Sequence, residues 1–247
     1  MTPRRLSIAL ALAALPALAA AQSKSDAFAG KIPPVSGQLF RTGGRLELTL
    51  GGAMSLNDAF FTKYFGSAKA TYHFNEFWSL GAGASAGTTV QSGSSVLCTS
   101  TGGCTNAGEQ QLQQVPGRIH MILGLEGAWT PVYGKLNVLS EQVGHFDLSI
   151  LAGPDLIFHD KIVSAADAAV LAANGGSPGT ESTFGGHFGL AARIFFAQWV
   201  ALRLEVKDYV YGVKVPNNAA TGTDVQNQLF AELGFSFFLP TQNRPAR

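Results

Sequence analysis

The chain has 247 residues, with 17 Lys and Arg against 16 Asp and Glu, and charged residues make up only 13% of it, about half of the ~25% usual in soluble domains. This balance excludes a basic nucleic-acid binder. No apolar run reaches the roughly 18 residues of a spanning helix, so the apolar residues are dispersed, as a lipid-facing β-barrel wall requires.

Residues 1–21 have the form of a secretory signal peptide. Arg4 and Arg5 precede a short Ala/Leu/Ile run, and Ala19-Ala20-Ala21 forms the cleavage site. Removing it leaves 226 residues, with 15 basic against 16 acidic, a size that suits one all-β domain. Residues 22–42 then read as a periplasmic N-terminal segment, 43–240 as an outer-membrane barrel domain and 241–247 as a C-terminal tail.

Alternating segments follow in chain order. Gly44–Gly51 sets Leu46, Leu48 and Leu50 against Arg45, Glu47 and Thr49. Lys63–Phe74 sets Tyr64, Ala68, Ala70 and Tyr72 against Lys69, Thr71 and His73. Phe77–Gly87 sets Trp78, Leu80, Ala82 and Ala84 against Ser79, Gly81, Gly83 and Ser85. Gly117–Trp129 sets Ile119, Met121, Leu123 and Leu125 against Arg118, His120, Gly124 and Glu126. His145–Phe158 opens with Phe146, Leu148 and Ile150 against Asp147 and Ser149. Thr183–Phe196 sets Phe188, Leu190 and Ile194 against His187 and Arg193. Trp199–Gly212 sets Val200, Leu202 and Leu204 against Arg203, Glu205 and Lys207. Gln226–Leu239 sets Leu229, Leu233, Phe235 and Phe237 against Glu232, Gly234 and Ser236. These eight segments predict an eight-stranded antiparallel transmembrane β-barrel of the outer-membrane type.

The connections alternate in length. Asn75-Glu76 and Ala197-Gln198 are tight turns, and 131–144 reads as a medium connection. The others, 52–62, 88–116, 159–182 and 213–225, are long and rich in Gly, Ser, Thr, Asn and Ala. Short turns on one rim and long loops on the other put the long loops outside and both termini in the periplasm. Ser164–Ala173 reads as a short helix with Ser164 as N-cap. Cys98 and Cys104, six apart in an exported chain, predict a local disulfide.

Aromatic residues fall at the strand ends. Phe74, Phe77, Trp78, Trp129, Tyr133, Phe196, Trp199, Phe237 and Phe238 form one girdle. Phe60, Phe61, Tyr64, Phe158, Phe184, Tyr209 and Tyr211 form the other. The charges expected to face the lumen are Arg45, Glu47, Lys69, Arg118, Glu126, Asp147, Arg193, Arg203, Glu205, Lys207 and Glu232. An eight-stranded barrel is just wide enough for side chains to fill, so these predict an ion-paired plug. Asp208 falls on the lipid face, to be accommodated near the outer rim or by a bulge.

Several stretches resemble the outer membrane β-barrel domain family of myxobacteria and related deltaproteobacteria. They are Gly44-Arg-Leu-Glu-Leu-Thr49, Ser55-Leu-Asn-Asp58, Tyr72-His-Phe-Asn-Glu-Phe-Trp78, Pro131-Val-Tyr-Gly-Lys135, His145-Phe-Asp-Leu148, His187-Phe-Gly189, Ala201-Leu-Arg-Leu-Glu205 with Asp208-Tyr209, and Phe237-Phe-Leu-Pro240. The resemblance spans about residues 40–240. It implies an outer-membrane barrel, and some similar proteins serve in cell-surface gliding machinery. It brings no catalytic residues with it.

The chain therefore reads first as a structural or interaction protein, with no cofactor and no metal. Its expected partners are outer-membrane lipid, the barrel-assembly machinery during insertion, and envelope proteins reached through loops 88–116 and 159–182. A narrow channel for ions or small solutes is the alternative. A lipid-modifying enzyme is the third reading: His120 and His187 lie toward the outer rim near Asp160 and Glu181, but no G-x-S-x-G elbow is present.

Overall fold

The computed structural model describes residues 40–98, 102–138, 142–216 and 221–240. The proposed signal peptide, the segment 22–39 and the tail 241–247 lie outside the described residues. Eight long strands form the wall: β1 (Leu46–Ser55), β2 (Phe61–His73), β3 (Trp78–Gln91), β6 (Ile119–Val138), β7 (Gln142–Asp160), β8 (Thr180–Ala197), β9 (Val200–Pro216) and β10 (Thr221–Leu239). The β3–β6 connection carries a small hairpin, β4 (Val96–Cys98) with β5 (Cys104–Asn106), and the turn of helix α1 (Glu109–Leu112). The β7–β8 connection carries α2 (Ala165–Ala173).

The barrel strands pair antiparallel with their sequence neighbours, and β1 pairs with β10 to close the ring. The closing register runs from Leu46↔Leu239 to Ser55↔Phe230. Closure satisfies every edge that an open sheet would leave unpaired in hydrocarbon. The tight β2–β3 turn is made by Asn75, whose Oδ1 accepts from the backbone N–H groups of Phe77 and Trp78, both at 2.8 Å, as an Asx turn does. On the opposite rim Asp58 turns the chain between β1 and β2 by accepting from Phe60 N and Phe61 N. Ser164 caps α2, accepting from Asp167 N at 3.2 Å. A disulfide joins Cys98 and Cys104 across the β4–β5 hairpin.

Two of the expected long loops are largely strand: within 213–225, β9 and β10 pair from Thr221↔Pro216 to Val225↔Gly212, and within 52–62, β1 runs on to Ser55 and β2 begins at Phe61. Two further parts of the wall differ from the sequence expectation. The first is 131–144, which is no loop. β6 runs on to Val138 and β7 begins at Gln142, so the two form a hairpin longer than its neighbours. β3 ends its pairing at Trp78↔Trp129, so Pro131 has no partner on that side and its missing N–H breaks no ladder there. A register shift between Trp129 and Val132 absorbs the irregularity. The second is the start of β6. A register shift between Ile119 and Met121 adds one residue and reverses the alternation there. Ile119 is fully buried inside and His120 is exposed outside, the opposite of the assignment that alternation alone gives.

Candidate functional site

The exterior wall is apolar. Leu50, Leu80, Leu125, Ile150, Leu190, Leu204, Leu233 and Phe235 are all exposed. Among the described residues, Asp208 is the one charged side chain in this band. Its register with Leu229 and Phe188 is unbroken, so no bulge turns it inward. It points out near the long-loop rim and accepts from Asn227 Nδ2 at 2.5 Å.

Seven of the nine residues assigned to the short-turn girdle face outward: Phe74, Phe77, Trp78, Trp129, Phe196, Trp199 and Phe237. Trp78 stacks on Trp129 at 6.2 Å across the β3–β6 pair, and Trp199 stacks on Phe237 at 6.3 Å. Phe238 and Tyr133 do not belong to this girdle. Phe238 is fully buried in the lumen, as it must be when its strand neighbour Phe237 points out. Tyr133 packs inward against a cluster of Phe40, Phe195, Ala201 and Phe238. On the opposite rim Phe60, Tyr64 and Phe184 face out, whereas Phe61, Tyr209 and Tyr211 are buried inside.

The lumen is stratified. At the short-turn mouth Phe40 lies stacked on Phe195 at 5.3 Å and edge-on to His145 at 4.7 Å. Arg45 closes this mouth from the rim. Its Nε donates to Pro240 O at 3.0 Å and its Nη2 to the same oxygen at 2.6 Å. It thereby ties the start of the barrel to its end, rather than joining the charges further in.

Above this mouth lies a continuous ion-pair network. Glu47 is its hub, with 0% exposure. Its carboxylate accepts from Arg193 Nη1 at 2.6 Å, Arg203 Nη1 at 3.1 Å and Ser236 Oγ at 2.6 Å, and lies 2.7 Å from His73 Nε2. Arg193 also donates to Asp147 at 2.9 Å, and Arg203 reaches Glu126 at 3.2 Å and Glu205. Lys69 bridges Glu126 and Glu205 at 3.1 and 2.8 Å. Lys207 joins Glu205 at 2.8 Å and Glu232 at 2.9 Å. Desolvating such charges costs several kcal/mol per ion, so the layer is tolerable only because each member meets opposite charge or a hydroxyl. Arg118, also expected inward, stands apart at the long-loop rim, over the Phe61 ring at 5.2 Å and 4.0 Å from Asp160.

Further side chains join the lumen charges. Asp155 receives His187 Nδ1 at 2.8 Å. Lys63 pairs with Asp58 and donates to Gln228 at 2.6 Å. His73, Thr49 and Ser236 all meet Glu47. Strand parity was the available signal: His73, Thr49 and Ser236 already stood on the polar faces, and Lys63 shares the face of Lys69.

An apolar layer then fills the long-loop half: Phe65, Ile119, Ile122, Ile157, Tyr209 and Phe230, with Tyr211, Val213 and Ile162 above. Phe230 meets Phe65 at 5.5 Å and Tyr209 edge-on at 5.6 Å. Outside this rim His120 Nε2 lies 2.5 Å from Asp160 Oδ1. Among the described residues no group of His, Cys, Asp or Glu is arranged to hold a metal ion.

An apolar exterior around a charged interior is the reverse of a soluble protein, and it defines a transmembrane-type β-barrel. No family model and no curated protein sequence matches the chain. Among solved structures it is similar to the N-terminal β-barrel domain of Pseudomonas aeruginosa OprF, with 11% identity and a TM-score of 0.47, over 80% of this chain and 98% of that one. It is also similar to the outer membrane protein OprG of P. aeruginosa, with 11% identity and a TM-score of 0.43, over 80% and 97%. A third is Ail, the attachment invasion locus protein of Yersinia pestis, with 12% identity and a TM-score of 0.37, over 80% and 99%.

Proposed function

We propose that this chain spans a bacterial outer membrane as a closed structural and interaction barrel. It presents loops 88–116 and 159–182 outside and its N-terminal segment to the periplasm. The observation that carries this reading is the filled lumen. Glu47 is buried beneath two arginines, with an aromatic cluster across one mouth and an apolar layer across the other. A lumen packed in this way gives a solute no path, and it gives the wall a rigid frame for the loops.

Single-channel recording of the refolded chain in a planar bilayer tests it, with heat-modifiable gel mobility confirming a folded barrel. Folded, silent protein is the expected result. Stable current steps with ion selectivity would make the lumen a conduit and remove the structural reading.

The sequence resemblance described above extends the proposal to membership of an envelope-spanning assembly, of the kind that drives surface motility. Loops held outside and a segment held below the same barrel suit such a role. Extraction in mild detergent should bring other envelope proteins down with it reproducibly. A barrel that always extracts alone would count against this extension.

A further inference from the structure

Between the charge network and the apolar layer lies a small cavity of ≈ 30 Å³. A water molecule needs about 10–15 Å³ of such space. The walls present Ser67, Ser85, Lys69, Glu126, Glu232 and His187, all from the inward faces of the wall strands.

His187 is the informative member, because its side chain is 3% exposed. Its Nδ1 is held by Asp155 at 2.8 Å. Its Nε2 makes no hydrogen bond with the protein, and it looks toward Glu126 Oε2 at 3.6 Å. That gap is too long for a direct bond and is of the kind that a water closes. A buried polar atom without a partner costs free energy that one bridging water recovers.

The geometry points to a hydration site in this chamber: one or two waters, one of them joining His187 Nε2 to Glu126. The chemistry of the walls selects the ligand. Lys69 and Lys207 line the same cavity and repel a cation, while Glu126, Asp155 and Glu232 repel an anion. A small neutral molecule that both donates and accepts fits both sets.

Two inward glycines leave the room. At Gly124 a Cβ would fall 2.3 Å from Asp155 Oδ1, so glycine there lets Asp155 reach His187. At Gly83 a Cβ would find only ordinary contacts, at 3.4 Å from Ala68 O and Lys69 Cγ. The backbone does not require glycine at that position, and the space in front of it is left for solvent.

The inference rests on the closed lumen proposed above, because water held in this way must not drain along a pore. A crystal structure of the refolded full chain, at a resolution that shows solvent, tests it. The expected result is solvent density within about 3.2 Å of both His187 Nε2 and Glu126, with one fewer solvent peak in Gly83→Ala. Nuclear Overhauser contacts between the His187 ring and bound water should accompany it. A chamber without density, or a peak with metal-like carboxylate contacts, would overturn it. Current steps in the bilayer would end the closed reading whatever the crystal shows. Silent protein with a dry chamber would end this inference alone.

Discussion

The two halves of the lumen are closed by different means. Toward the short turns, four cations (Lys69, Arg193, Arg203 and Lys207) are interlaced with carboxylates around Glu47. Toward the long loops, Phe65, Ile122, Tyr209 and Phe230 pack as a globular core does. The charged half obtains its uniqueness from direction, since each carboxylate must find particular donors. The apolar half obtains it from shape. A wall that gives the chain only one narrow interior can therefore be filled by either kind of chemistry, and this barrel uses both in series.

The largest break in that contrast should come from Glu47→Ala. It leaves Arg193, Arg203 and His73 facing a carboxylate that is gone. Removing one partner of a buried pair costs about 3–5 kcal/mol. Urea titration of the refolded barrel in lipid vesicles, read by gel mobility, measures it. A loss below about 1 kcal/mol would mean that water already reaches this layer. Phe230→Ala strikes the other half. It vacates a ring that is 2% exposed and should cost about 3 kcal/mol, at the lower end of the range for buried aromatic truncations. The double variant sharpens the comparison. Glu47 pairs with Phe238 and Phe230 with Ser55, so the two sites share no partner and their costs should add to within about 0.5 kcal/mol. A larger coupling would mean that the two layers are one cooperative unit.

The same two halves explain what could be read from the sequence. Alternation picks out charged lumen residues readily, because a charge on an apolar strand has only one tolerable side. Glu47, Lys69, Glu126, Arg203 and Glu232 were assigned in this way, and each lies inside. The apolar half carries no such contrast, since lipid and a dry lumen are equally hospitable to Phe or Ile. Phe61, Tyr209 and Tyr211 thus read as girdle aromatics and are in fact core. Phe238 and Tyr133 fail at the other rim for the same reason. The reversal at Ile119 and His120 has a separate origin, because a bulge changes parity without any signal in residue type. The bridging of Glu126 by both Lys69 and Arg203 is also beyond alternation, which gives the face of a residue but not its neighbour around the ring.

On the outside of the wall depth replaces partnership as the deciding variable, and the smallest expected effect, at Asp208, lies there. Leu204 and Asp208 lie on the same exterior face of β9, one full exposed step on either side of Val206. Leu204 is 43% exposed among Leu233 and Ala192, so it stands well inside the apolar band. Leu204→Arg should cost about 2–4 kcal/mol if hydrocarbon covers this level, and about 1 kcal/mol or less if it lies near an interface. Asp208 already carries a charge with Asn227 beside it. Asp208→Leu should therefore change stability by less than about 1 kcal/mol in either direction. The difference between the two substitutions, measured in the same vesicles, locates the outer edge of the membrane between them. Clear stabilisation by Asp208→Leu, beyond about 1 kcal/mol, would mean that hydrocarbon extends past this level and that Asn227 helps to hold Asp208 within it.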